Sequence, residues 1–138
     1  MSDRKRSLLF HGALLFLLGL ITGLFQHKLT NPRMGLAAHL EGLMNGTFLI
    51  AVGAAWSEVK LPPKRSTVAY CLLLYGAYAN WLFTLIAAMF GTKAMTPIAS
   101  AGFSGQQWQE GIVTFGFVSV GLAMIVALVL LLIGYRRG

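Results

Sequence analysis

His39, Glu41 and Asn45 interrupt the first half of AHLEGLMNGTFLIAV (38–52), a stretch whose second half is almost wholly apolar. An imidazole, a carboxylate and a carboxamide can ligate a metal, move a proton and hold an oxygen atom. Their spacing assigns them to faces. His39 and Leu43 are four residues apart, as are Gly42 and Gly46, so on a helix these four share one broad face with Asn45 at its edge. Glycines beside a histidine let either a flat, bulky group or another helix approach the backbone closely. A zinc site would require three or four clustered donors, which the chain does not offer, and no C-x-x-C-H sequence is present for covalent haem attachment. One neutral imidazole in an apolar slot is enough for a b-type haem. Glu41, two residues from His39, points to another face. It is expected to reach water, to pair with Arg33 or Lys93, or to meet a neighbouring subunit.

Other polar groups in apolar surroundings are His11, Tyr70, Tyr75, Tyr78, Asn80 and Thr84. In a bilayer such groups are costly against lipid and turn towards a bundle, cavity or cofactor. At about 1.5 Å of rise per residue, Asn45 and Asn80 fall at nearly the same depth, with Thr84 one turn nearer the outer surface. One polar column drawn from two helices is therefore expected. His11 and His39 fall near opposite ends of the bilayer and should not share one iron. His11 is expected to hydrogen-bond in packing, and His27 to be a solvated loop residue.

The elements that must position these residues are legible from composition. Of the 138 residues, 57% are hydrophobic and 11% charged, too little polar surface for a soluble domain of this size. An all-α integral membrane protein is expected, as one four-helix domain over residues 1–138. A span takes about 20 residues, and four runs suffice: 8–25, 36–56, 67–91 and 111–135. The first lacks a small-x-small cleavage site after it and reads as a helix rather than a signal peptide. All four prolines lie between the runs. The net charge of +7 sits in the gaps between runs, which is a topology signal and not that of a nucleic-acid-binding protein. Arg4, Lys5, Arg6, Lys60, Lys64, Arg65, Arg136 and Arg137 fall on one side; Lys28, Arg33 and Lys93 fall on the other. That asymmetry places both termini in the cytoplasm and the longest loop, TKAMTPIASAGFSGQQWQE (92–110), outside. Its Phe103 and Trp108 suit a lid or ordinary interfacial anchors. The single cysteine, Cys71, lies within an apolar run and is expected to face membrane or core.

Three patches resemble the styrene oxide isomerase family. RMGLAAHLEGLMNGTFLIAVGA (33–54) is similar to that family's second helix, with Ala-His, five residues, then Asn-Gly. YGAYANWLF (75–83) resembles its third helix, and HGALLF (11–16) its first. The resemblance implies a trimer of four-helix subunits in the bacterial inner membrane, with ferric haem b near the subunit interfaces. His39 would ligate the iron, in a slot bordered by Gly42, Leu43 and Gly46. The iron would act as Lewis acid on a hydrophobic aryl epoxide, and a 1,2-hydride shift would give the aldehyde. Asn45 would hold the oxygen, with Asn80 and Thr84 beside it and Leu40, Leu43 and Phe83 around the ring. Where the family carries a tyrosine four residues after the third-helix asparagine, this chain has Thr84, whose hydroxyl is shorter and less acidic. The alternative is a haem-binding membrane protein without isomerase chemistry, serving redox, gas-sensing or haem-handling roles. Electron transfer favours two strong axial ligands, for which Met34, Met44 or Met89 could be proposed as the second. A weaker alternative is a haem-free transporter built on Glu41 and Asn80.

Overall fold

The computed structural model describes residues 2–137; Met1 and Gly138, the two ends of the expected domain, lie outside the described residues. Four helices carry the fold: α1 (Ser2–Phe25), α2 (Pro32–Ala54), α3 (Pro63–Phe90) and α4 (Gln107–Arg136). All four are long and apolar enough to cross a membrane. No strand occurs among the described residues.

Each helix starts before its apolar stretch, because polar residues continue or cap it. α1 starts at Ser2 rather than residue 8, and its basic first turns are tied across to α3. Arg4 donates to Ser66 Oγ at 2.7 Å and to Thr67 Oγ1 at 2.6 Å. Pro32 opens α2 with Asn31 as its cap, the side chain accepting from the backbone of Arg33 and Met34. The same helix stops at Ala54, two residues short of the expected end, where a short 3₁₀ turn at Trp56–Glu58 begins. α3 starts at Pro63 and closes on Gly91, whose φ of 67° is the left-handed conformation that glycine adopts freely. α4 starts with a reciprocal cap between Gln106 and Gln109.

α2 lies between α1 and α3, and α4 packs against the far side of α3. The α1–α2 seam is made of glycines. A Cβ added at Gly46 would lie 2.7 Å from Gly12 O, and one added at Gly42 would fall on the Gly19 Cα. The α3–α4 seam instead seats large side chains on glycines, Met124 on Gly76 and Phe83 on Gly116. Between α1 and α3 runs a polar ladder. Ser7 and Tyr70 share a hydrogen bond at 2.6 Å, His11 Nδ1 lies 2.9 Å from the Tyr78 hydroxyl, and Trp81 donates to Thr22 at 3.1 Å. Fully buried Leu8, Leu15, Leu49, Leu73 and Trp56 fill the core at the end that carries the chain termini. Outward, α4 presents Phe115, Leu122, Ile125 and Leu132, each more than 60% exposed.

The 92–110 connection is fastened rather than free. Glu110 accepts from the backbone N–H groups of Lys93, Ala94 and Gly105. Asn31, fully buried, donates to the carbonyls of Ala99 and Ser100. Trp108 stacks edge-on against Phe90 at 5.4 Å, and Phe103 rests over Gly91. Cys71 is exposed on α3, and His27 is exposed in the short turn after α1.

Candidate functional site

α1 positions the His39 ring. Gly19 O lies 2.7 Å from Nδ1. A carbonyl only accepts, so Nδ1 carries the hydrogen and, in the neutral ring, Nε2 keeps its lone pair. Gly23 makes room for this, since an added Cβ there would sit 2.6 Å from Nδ1. The ring is half-buried, and Nε2 is neither hydrogen-bonded nor enclosed among the described residues. A backbone carbonyl on one ring nitrogen and a free lone pair on the other is the arrangement that metal-ligating histidines adopt.

Gly42 and Gly46 serve α1. Of the two occupants left open by the sequence, a flat group or another helix, the helix fills the space: Gly42 meets Gly19, and Gly46 meets Gly12 and Phe16. Leu43 is half-buried and borders an open groove of about 420 Å³ on the outer face of α2, lined also by Met44, Thr47, Phe48 and Ala51. Phe83, expected near a substrate ring, is instead taken up against Gly116 of α4. Met34 is buried with Ala87, Ala88 and Val113, and Met44 and Met89 are exposed.

Glu41, half-buried, makes no ion pair with Arg33 or Lys93 among the described residues. Its Oε2 accepts from Asn45 Nδ2 at 2.9 Å and from Asn80 Nδ2 at 2.6 Å. The depth match between Asn45 and Asn80 is thus a meeting, with a carboxylate between the two amides. Asn45 also donates Nδ2 to its own helix, at Glu41 O, 2.9 Å away. Both of its N–H bonds are therefore spent, and the fully accepting partners fix which end of the amide is nitrogen. Asn80 retains one N–H. Glu41 Oε1 and the carbonyl oxygens of the two amides have no hydrogen-bond partner among the described residues, and none of them is an enclosed orphan. The cluster offers three acceptor oxygens and one spare donor. Thr84 is buried beside it, but its hydroxyl donates to Asn80 O at 2.7 Å, one turn back in its own helix.

On α2 the 100° step per residue separates these groups. His39 faces α1, Glu41 faces α3, and the exposed strip of Leu40, Met44 and Thr47 runs between them. His11 is elsewhere, bound to Tyr78 in the α1–α3 ladder. Among the described residues no three His, Cys, Asp or Glu side chains converge.

Residues 4–136 match the family model described as styrene oxide isomerase. The chain belongs to that family. It is 45% identical over 132 residues to hydroxylaminobenzene mutase HabB of Ectopseudomonas oleovorans, covering 95% of this chain and 80% of the relative. Hydroxylaminobenzene mutase HabA of the same organism is 44% identical over 127 residues, covering 91% of this chain and 94% of the relative. No solved structure matches. The chain is an intramolecular isomerase, which removes the reading of a haem protein without such chemistry.

Two interactions of α2 are not apparent from helical spacing alone. Asn31 locks the start of α2 to the 92–110 connection, and its Asn-Pro pair is a readable cap signal. The partner of Glu41 escapes because its reach to α3 depends on which helices are neighbours.

Proposed function

We propose that this chain is a membrane-embedded, haem b-dependent isomerase that moves the hydroxyl of a hydrophobic N-arylhydroxylamine from nitrogen to a ring carbon, giving an aminophenol. The donor and acceptor count at Glu41, Asn45 and Asn80 carries the choice of substrate. A hydroxylamine brings an N–H and an O–H as donors, and an acceptor-rich cluster is what recognises them. An aryl epoxide has only an oxygen acceptor. The two similar mutases, both hydroxylaminobenzene enzymes by name, point the same way.

His39 Nε2 would hold the iron, with Gly19 O fixing the ring's tautomer and direction. When bound, ferric haem supplies a Lewis acid for the oxygen that departs and no net redox change. The chain's own residues do the remaining work. The exposed strip beside the site gives an apolar bed for the aryl ring and, once covered, would keep water from a cation that it would trap. Asn45 and Asn80 hold Glu41 in place, so its open oxygen is set before substrate arrives. The strip is uncovered in a single chain, and a homotrimer in the bacterial inner membrane, with both termini cytoplasmic, would close it.

A second reading is isomerisation of an aryl epoxide to an aldehyde, favoured by the family match and by the spare N–H of Asn80. Purified protein should show a Soret band and convert hydroxylaminobenzene to an aminophenol. Aldehyde from styrene oxide with no aminophenol would install the second reading. Absence of a Soret band and of both products would overturn the proposal.

A further inference from the structure

Glu41 is an ionisable residue inside an apolar helix with half of its carboxylate committed and half open. Its Oε2 takes N–H bonds from two helices, while Oε1 has no partner among the described residues and is not enclosed. A carboxylate in an apolar span is expensive unless function requires it. If its role were only to join α2 to α3, a neutral acceptor would serve that purpose without the cost of a charge.

We infer that Glu41 is the specificity-determining residue of the site, its open Oε1 accepting the N–H of an arylamine-type substrate and so selecting N-arylhydroxylamines over epoxides. This rests on the substrate reading above. The geometry fits in three respects. Oε2 is tied by both amides, so the carboxylate cannot swing away to solvent without breaking two hydrogen bonds. Asn45, with both N–H bonds used, cannot instead donate to an epoxide oxygen. By helical position Glu41 also neighbours the exposed strip of Leu40, Met44 and Thr47, which borders the groove lined by Leu43, Phe48 and Ala51 where an aryl ring can rest.

Glu41→Gln tests this with little disturbance. The glutamine oxygen must take the place of Oε2, because Asn45 and Asn80 present N–H groups to it. Its NH₂ then replaces Oε1, and the open position changes from acceptor to donor. A hydrogen bond to a charged acceptor is worth about 10- to 100-fold in binding. In haem-loaded, full-length protein, the kcat/KM ratio of hydroxylaminobenzene to styrene oxide should fall on the order of 10²-fold in this variant.

A binding comparison gives a readout independent of turnover. Calorimetry should show the wild-type protein preferring aniline, which has N–H donors, to toluene, which has none, by about tenfold. That preference should vanish in Glu41→Gln and persist in part in Glu41→Asp, which keeps a carboxylate on the same edge of α2. An unchanged aniline preference in Glu41→Gln, or its complete loss in Glu41→Asp, would overturn the inference. If the wild type turns over neither substrate, the substrate reading falls while the aniline and toluene comparison still decides the role of Glu41.

Discussion

Gly42→Ala links the helix seam to His39, the proposed iron ligand. The added methyl would fall on the Gly19 Cα, 2.9 Å from Gly19 N and 3.1 Å from Trp81 Cδ1. Carbon contacts settle at about 3.5–4.0 Å, so α1 must withdraw by roughly 1 Å. Overpacking of this kind costs about 1–3 kcal/mol. The withdrawal also acts on His39. Gly19 O now lies 2.7 Å from Nδ1, and a retreat of about 1 Å takes it beyond hydrogen-bonding distance. Loss of the outer partner of a ligating histidine lowers metal affinity by about 10- to 100-fold. Haem titration followed by the Soret band should show that loss together with a lower melting temperature. Gly121→Ala is the matched control, since an added Cβ there meets nothing within 4 Å. In a helix it should be neutral or stabilise by up to about 1 kcal/mol. Wild-type haem affinity and melting in Gly42→Ala would refute the idea that the glycine seam sets the ligand.

Three further outcomes are expected. His39→Ala should abolish or strongly shift the Soret band, whereas His11→Ala, which cuts only the bond to Tyr78, should leave it in place. Asn45→Leu removes one of the two amides that hold Glu41 Oε2, and rearrangement should slow by about 10- to 100-fold with the haem spectrum retained; an unchanged rate would exclude a role for the cluster. Thr84→Tyr replaces a hydroxyl now spent on Asn80 O with a longer phenol, so turnover of styrene oxide should rise relative to hydroxylaminobenzene; a ratio that does not move would remove position 84 from substrate choice.

Helix number and approximate position were legible because apolar runs of span length have few alternative structures. The ends were not, because capping and polar ties extend a helix without changing hydropathy: Arg4 carries α1 to the edge of the described chain, and Gln106 starts α4 before its apolar run. At the site, depth along two helices correctly brought Asn45 and Asn80 together, since rise per residue is fixed whatever the packing. Orientation between helices was harder. Glu41 was read against its own helix, where it does stand apart from His39, and the residue it turns to is on α3. Gly42 and Gly46 posed the converse difficulty. A glycine face signals close approach but not which body approaches, and here α1 does so.

Position 41 decides what the two amides present. Glu41 and Asn45 are one helical turn apart, so the Asn45 amide reaches the backbone carbonyl and the carboxylate of the same residue. With an apolar side chain at position 41, the backbone bond would remain and one N–H of Asn45 would be released, along with the N–H that Asn80 gives to Oε2. The cluster would then turn from acceptor-rich to donor-rich, suited to an oxygen that gains negative charge as a ring opens. One scaffold can thus serve an epoxide or a hydroxylamine without moving a helix. Glu41→Leu should reverse substrate preference more strongly than Glu41→Gln, because it releases both amides instead of exchanging one oxygen for a nitrogen. Equal effects of the two variants would mean that only the charge matters, and that the freed amides play no part in binding oxygen.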